Sequence, residues 1–486
     1  MSAKKESLKS KVFSGLIWRF GERITAQLVS TIVSIILARL LLPEDYGVVT
    51  MTLVFINIAN VFVTGSFGNA LIQKKEVDNV DFSSVFFFNL SLSILIYFCL
   101  FLASSHISLL YEMPELEMVL KVLGLRIPLA AINSVQQAYV SRNMLFKRFF
   151  WATLFGTILS GFVGVFLAYR GAGVWALVAQ YLTNTTIDTL ILWLTVKWRP
   201  ILVFSWTRAK TLIEYGWKLL CSSLLSTIYE ELRTMIIGKY YTSSDLAFYN
   251  QGDKYPKLII NNVNTTISSV LFPAISQVQD DRNKVKQMTR RAIQVSSYII
   301  WPMMVGMAVV AEPFVSLLLT EKWLFCVPYL QIFCLSYGLY PIHTANLEAL
   351  KAIGRSDLYL KLEVAKKIIG LSILVLCIKG GPIMIAWSVL LSSLSSGIVN
   401  ATPNTKLLNY SYKEQFWDSF PSLILSAFMA MIIYPISYLA MPDYLILALQ
   451  IFSGCVVYLF LSIITKQPSF NYLKSIIFKK FKNKRG

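Results

Sequence analysis

From about residue 12 to about residue 465, long apolar segments follow one another with only short polar breaks, and few architectures can accept such a chain. The stretches Leu28–Leu42, Val85–Ala103, Ile293–Val310 and Ser422–Ala440 are among the clearest. A helix of about 20 mostly apolar residues crosses a hydrocarbon core of ~30 Å. Strands of a membrane barrel would instead be ~10 residues long and alternate in polarity. Segment length therefore predicts an all-α polytopic membrane protein. Hydrophobic residues make up 56% of the chain and charged residues 15%, and mean hydropathy is +0.59, so no polar stretch remains that could fold as a soluble domain. Met1–Lys11 is polar and basic. The apolar run after it is too long for a cleavable signal peptide and lacks a small-residue cleavage site.

The pattern places helices near 12–42, 45–72, 79–105, 115–140, 146–169, 171–197, 210–241, 244–276, 283–311, 323–350, 355–378, 380–408, 415–440 and 442–465, about fourteen transmembrane spans. Lys and Arg favour cytoplasmic loops. One set of alternating loops, with both ends of the chain, holds thirty of them, among them Lys4, Lys5, Lys74, Arg142, Arg208, Lys284, Arg290 and seven in the tail after Thr465. The opposite set holds Arg39, Arg170, Lys239, Lys322 and Lys379. This bias places both termini in the cytoplasm and requires an even number of spans. It also accounts for the net charge of +19: the cations sit at helix ends facing anionic headgroups, which argues against nucleic acid as a partner. The run Lys479-Lys480-Phe481-Lys482-Asn483-Lys484-Arg485 reads as a cytoplasmic membrane anchor.

Several chemistries are excluded by what the chain lacks. Its six cysteines are scattered, without a CxxC, and read as small apolar packing residues. Only His106 and His343 are present, which argues against a histidine-based metal centre or a Ser/His/Asp triad. No glycine-rich phosphate loop supports ATP hydrolysis. The expectation is a non-enzyme without a cofactor. Trp18, Trp151, Trp175, Trp193, Trp198, Trp206 and Trp323 fall near span ends and read as an interfacial belt.

An internal repeat is visible at an offset of 200 residues. Leu37 to Gly47 closes the first span and opens the second, and Ile237 to Ala247 does the same for the seventh and eighth. Arg39 aligns with Lys239, Asp45 with Asp245, and Leu71-Ile72 with Leu271-Phe272. Each Asp is placed to cap the following helix. Six spans per half give both halves the same orientation, a transporter design with a cavity between two lobes. The expected division is 1–200 for spans one to six, 201–409 for seven to twelve, and 410–486 for two further spans and a basic tail.

Ionisable residues inside spans are costly, and each is a functional candidate. Arg19, Arg23, Gln27 and Ser30 advance by four, four and three, and form one polar stripe on the first helix, with Glu22 beside them. The seventh span carries Glu230, Glu231 and Arg233. The eighth carries Asp253, Lys254, Lys257, Asn261 and Asn264, against only Asn57, Asn60 and Thr64 in the second. The eleventh adds Glu363, Lys366 and Lys367. From the turn at Tyr241–Ser243, Arg233 lies roughly 12 Å before and Asp253 roughly 15 Å after, so an ion pair between them is expected. The surplus of cations on spans one and eight suits an anionic headgroup such as phosphate. Internal pairing of the carboxylates, snorkelling of Arg19, and pairing of Lys366 with Glu363 are the structural alternatives.

The segment Ala38-Arg39-Leu40-Leu41-Leu42-Pro43-Glu44-Asp45-Tyr46-Gly47 resembles the end of the first helix in bacterial polysaccharide-unit flippases. So do Leu271-Phe272-Pro273-Ala274-Ile275-Ser276, Ala311-Glu312-Pro313 and Glu321-Lys322-Trp323. Over roughly residues 8–465 the chain is similar to the Wzx-type, colanic- and teichuronic-acid exporter-like branch of the multidrug/oligosaccharidyl-lipid/polysaccharide superfamily. The resemblance implies two six-helix lobes around a central cavity plus two C-terminal helices, and translocation of an undecaprenyl-pyrophosphate-linked oligosaccharide to the outer leaflet of the bacterial plasma membrane by alternating access. It implies that Arg19, Arg23, Lys254 and Lys257 meet the pyrophosphate. Gln27, Asn57, Asn60, Asn261, Asn264, Lys366 and Lys367 would line the cavity. H+ or Na+ coupling would involve Glu22, Glu230, Glu231 or Asp253. Membrane lipids are the surroundings, polysaccharide polymerase machinery is a possible partner, and a monomer is the simplest state. The alternatives are another transporter of the superfamily, such as a drug/cation antiporter with an acidic or apolar cavity, and a membrane polymerase or ligase, which would need a large outer loop.

Overall fold

The computed structural model describes residues 8–64, 68, 71–72, 74 and 76–482, and every regular element among them is helical. The side chains of 8–17, 19, 20, 64, 211–213, 215, 218 and 476–482 lie outside that description. Lys4, Lys5 and the Arg19 side chain therefore fall outside it, as do residues 483–486 of the basic tail. Eleven helices among the described residues are long and apolar enough to cross a membrane, fewer than the fourteen expected. Helices are present at the other three positions, but each is diluted by polar residues. Val174–Thr195 contains Gln180, Asn184 and Asp188; Trp206–Tyr240 contains Glu230, Glu231 and Arg233; Ser356–Cys377 contains Lys361, Glu363, Lys366 and Lys367.

The chain divides into two compact units, Met1–Ala247 and Phe248–Gly486. The first contains α1 (Leu8–Leu40), α2 (Pro43–Thr64), α3 (Asn79–Tyr111), α4 (Pro114–Leu123), α5 (Arg126–Arg142), α6 (Phe146–Tyr169), α7 (Val174–Thr195) and α8 (Trp206–Tyr240). Within it α6 packs against α7 and α1, α2 against α8, and α3 against α5. Small residues allow that closeness, as is general for helices in lipid. A Cβ at Gly161 would meet Val33 Cγ2 at 2.5 Å, and one at Gly164 would meet Gln180 Cβ at 2.9 Å. The expected fourth span is two helices, because Pro128 lacks an N–H and its ring opposes the carbonyl of Gly124. A Cβ at Gly124 would lie 2.7 Å from the Leu120 carbonyl oxygen, so the chain turns there on a residue without a side chain.

Helix α9 (Ser243–Ser276) crosses the boundary, and the repeat is plain on either side of it. The pairs α1–α2 and α8–α9 end and restart at 40/43 and 240/243. The Leu42 N–H donates to Asp45 Oδ2 (3.0 Å), and the Thr242 N–H to Asp245 Oδ2 (3.2 Å). Each Asp thus stands three residues into the turn and reaches back, rather than being the first capping residue. Thr242 supplies the forward bond as well, since its hydroxyl accepts from the Asp245 N–H (3.1 Å), completing a capping box. Ser244 also donates to Glu44, 200 residues away, at 2.6 Å.

The second unit continues with α10 (Arg282–Val309), α11 (Ala311–Leu319), α12 (Val327–Gly338), α13 (Tyr340–Ala352), α14 (Ser356–Cys377), α15 (Pro382–Leu407), α16 (Tyr412–Ile433), α17 (Asp443–Ile464) and α18 (Pro468–Lys482). The expected span 323–350 is divided between α12 and α13, with Pro341 just inside the second. Helix α10 packs on α16, and α16 on α17, so the two helices left outside the repeat form part of this unit's core. The basic tail begins as a helix, and Arg291 lies 4.5 Å over the Tyr472 ring.

Several loops assigned to one side of the membrane do meet within the first unit. Arg208 pairs with Asp78, which caps α3, and Lys74 pairs with the buried Asp81 at 2.8 Å. Arg142 donates to the carbonyls of Leu71 and Lys74. The Arg208 guanidinium holds the Asp78 carboxyl below its ordinary range.

Candidate functional site

A polar chamber of about 380 Å³ lies inside the first unit, a size within the ~300–1,000 Å³ range of small-molecule sites. Four helices build it. Helix α1 contributes Arg23, Gln27 and Ser30, the stripe expected from the sequence; α5 contributes Arg126; α6 contributes Thr157 and Ser160; α7 contributes Gln180, Tyr181 and Asn184. No carboxylate is among the residues lining it. Arg126 Nε donates to Thr185 Oγ1 (3.0 Å), and the guanidinium stands 5.1 Å from the centre of the Tyr181 ring. Arg126 is twelve residues into its span from Pro114, or ~18 Å along the axis.

Sequence reading passed over Arg126. The signal was available: a lone arginine deep in an apolar span, two residues after a glycine and two before a proline. It also passed over Asp188, whose Oδ2 accepts from Asn133 Nδ2 (2.7 Å). Glu22, next to Arg23, accepts from Thr153 (3.2 Å). Asn57 donates to Glu231 (3.0 Å), which ties α2 to α8. Glu230 is exposed.

The expected Arg233–Asp253 pair joins residues of different units, and each has partners inside its own. Arg233 lies 5.7 Å over the Tyr229 ring. Asp253 accepts from the Tyr337 hydroxyl and from Lys257 (3.2 Å). Lys254 lies 6.0 Å over the Tyr255 ring. Asn261 is exposed, while Asn264 accepts from Thr344 (3.1 Å) and borders an open groove with Glu348 and Lys351. Lys366 pairs with Glu363 at 2.5 Å, the structural alternative for that residue, and Lys367 is half-buried beside it. Gln27 faces the chamber and Asn60 is half-buried on α2.

The second unit's polar core is larger than the sequence suggested, and its charged residues are paired in several places. Arg290 grips Asp418 with two bonds (2.8 and 2.9 Å), and Gln294 and Tyr410 donate to the same carboxylate (2.7 and 2.6 Å). Lys286 pairs with Glu414 at 3.0 Å. His343 is buried between Asn400, which donates to Nδ1 (3.2 Å), and Ser393, which accepts from Nε2 (3.1 Å). The described residues contain no group of three or more His, Cys, Asp or Glu able to hold a metal.

Residues 36–328 match the model of a family described as polysaccharide biosynthesis protein. The chain is 26% identical over 320 residues to the succinoglycan biosynthesis transport protein ExoT of Rhizobium meliloti, covering 66% of this chain and 65% of that one. It is 25% identical over 438 residues to the lipopolysaccharide biosynthesis protein WzxC of Escherichia coli, covering 86% and 88%. Among solved structures it is similar to the lipid II flippase MurJ in an inward closed conformation, with a TM-score of 0.72 at 16% identity over 93% of this chain and 99% of that one. At that identity the likeness concerns the fold.

Proposed function

Since the chain belongs to the polysaccharide biosynthesis protein family, whose model matches residues 36–328, we propose that it is a flippase for lipid-linked oligosaccharides. The substrate would be an undecaprenyl-pyrophosphate-linked glycan, moved from the cytoplasmic to the outer leaflet of the plasma membrane by alternating access. The finer architecture belongs to the same proposal: fourteen spans, with 1–200 and 201–409 as six-helix lobes about a central cavity, 410–486 as an appended pair with its tail, and both termini cytoplasmic. Arg19, Arg23, Lys254 and Lys257 would meet the headgroup, and Glu22, Glu230, Glu231 or Asp253 would couple H+ or Na+ flow to transport. No chemistry on the substrate is needed, so the protein acts as a transporter rather than an enzyme.

The observation that carries this reading is a polar chamber holding Arg23 and Arg126 in a unit that has, among its described residues, five segments long and apolar enough to cross a membrane. A phosphate-bearing head can cross in such surroundings while its lipid tail stays in the bilayer. A drug/cation antiporter would call for an acidic or apolar chamber, and this one is lined by two arginines and no carboxylate.

The test is complementation of a bacterium lacking its own polysaccharide-unit flippase. Wild type and Arg23→Ala would be compared at matched expression. The reading expects rescue by wild type and loss with Arg23→Ala. Rescue by both removes Arg23 from the mechanism. In the native host, a deletion strain should accumulate lipid-linked intermediates on the cytoplasmic leaflet, and absence of that accumulation contradicts the function.

A further inference from the structure

We propose that α18 and the first turns of α10 form a binding surface for the anionic headgroups of membrane phospholipids, and that lipid seated there steadies the packing of α10 on α16. The proposal goes beyond the flippase reading and concerns a part of the chain that reading leaves without a role.

The path of the backbone brings α18 to the membrane surface. Helix α17 is long and apolar enough to cross the bilayer, and it ends at Ile464. The chain turns on Lys466, which is in the left-handed region (φ 50°). The Lys466 N–H donates to the Ile463 carbonyl (3.1 Å) and the Gln467 N–H to the Ser462 carbonyl (3.0 Å). This pair of bonds is the Schellman ending of a helix. Helix α18 starts at the next residue, Pro468. Its beginning is fastened to the unit: Gln467 and Ser469 are buried, and Gln467 Nε2 donates to Ser422 Oγ (3.5 Å). Phe470 and Leu473 pack against the apolar cluster that includes Tyr298, Leu425 and Tyr458. The helix therefore starts at the bilayer boundary and is held there.

Its sequence suits that boundary. Phe470, Leu473, Ile477 and Phe481 recur at three, four and four residues and share one helix face. The apolar cluster takes the first two, and the row continues for two more turns. Lys474, Lys479, Lys480 and Lys482 lie on the same helix, Lys484 and Arg485 follow it, and no Asp or Glu occurs after Asp443. An apolar row among lysines, directly after a span, fits the level where acyl chains meet anionic headgroups. Lysine stems lie along apolar surface while their ammonium groups reach phosphate.

Helix α10, which packs on α18, supplies further cations. Lys286 and Arg290 are engaged by Glu414 and Asp418, and Lys284 by Asp281 (3.2 Å). Arg291 differs: it is exposed and stacks over Tyr472 of α18 at 4.5 Å. Stacking on a ring face leaves the guanidinium's N–H donors available to phosphate oxygens. A phosphate that touches Arg291 and the lysines of α18 bridges the two helices. Because α16 packs on α10, lipid bound there is read as stability of this unit.

The experiment uses the full chain in dodecyl maltoside, with phosphatidylglycerol and phosphatidylcholine as probes and thermal melting as the readout. Phosphatidylglycerol should raise the melting temperature at a concentration at least fivefold below that needed of phosphatidylcholine. Lys474→Gln, Lys479→Gln, Lys480→Gln and Lys482→Gln combined should remove most of that preference and leave the lipid-free melt unchanged. Four Lys→Arg changes at the same positions should keep it, and Arg291→Gln should reduce it by a smaller factor. Raising salt from about 0.1 M to about 0.5 M should weaken the wild-type preference, because exposed charges are then screened over a shorter distance. The salt series decides the matter if the fourfold Gln variant melts early. Equal stabilisation of wild type by both phospholipids overturns the surface. So does a preference that is indifferent to salt, or one that survives all four Gln substitutions in a folded protein.

Discussion

One set of cations in each unit stands in contrasting surroundings. In Phe248–Gly486, Arg290 and Lys286 of α10 have Asp418 and Glu414 of α16, and Lys366 has Glu363 on its own helix. In the chamber of Met1–Ala247, Arg23 and Arg126 face neutral donors instead. Sequence gives both sets the same appearance, a cation within an apolar helix. Their partners separate them: a cation paired with an acid is neutralised, and fastens two helices where the acid is on another one, whereas a cation among neutral donors keeps its charge available to a ligand. The paired residues should therefore matter to stability and the chamber residues to transport.

The largest expected effect is at Arg290. Arg290→Met leaves the Asp418 carboxylate, whose side chain is 5% exposed, without its cation. Breaking such a pair costs about 3 kcal/mol. Detergent-solubilised Arg290→Met should melt well below wild type, and an unshifted melt would show that Gln294 and Tyr410 alone satisfy the carboxylate. Next is Arg23→Ala, for which transport should fall at least tenfold with melting unchanged. A lowered melting temperature would move Arg23 to the structural class.

A reversed pair, Glu363→Lys with Lys366→Glu, should keep transport within a few-fold of wild type if these residues serve only to join one another. Loss of transport with a normal melt would make Lys366 a cavity residue after all. A smaller effect is expected at the repeated turn. Asp245→Ala removes the reach-back bond to Thr242 and should cost about 1 kcal/mol, read as a shift in melting. The smallest is at Asp78, where Arg208 holds the carboxyl low. A lowered folded pKa means that this contribution is complete above the ordinary Asp range near ~4 and fades as pH falls through the folded value. Between pH 5 and 8 it should be flat, and Arg208→Ala should abolish the acid-side loss.

Much of the fold was legible because lipid imposes length. Span positions, the short turn at 41–42 and its copy at 241–242 follow from hydropathy and from the spacing of Asp45 and Asp245. The chamber was half legible. Arg23, Gln27 and Ser30 share a helix face by periodicity, so α1 announced itself. Arg126, Tyr181 and Asn184 come from two other helices, and only packing shows that they meet. Asp418 was hidden for a related reason. It sits near a span end, where a carboxylate looks solvated, but α10 brings Arg290 against it. Tertiary pairing is not encoded in any single helix's pattern, so the sequence could nominate Lys366 and Arg23 without telling which one is neutralised.

The most direct measurement is transport of a labelled undecaprenyl-pyrophosphate oligosaccharide into proteoliposomes. Wild type, Arg126→Gln and the reversed Glu363/Lys366 pair would be reconstituted at equal density. The account predicts transport by wild type and by the reversed pair, and at least a tenfold loss with Arg126→Gln. Equal transport by wild type and Arg126→Gln would contradict it, because the chamber's unneutralised charge would then have no part in moving the substrate.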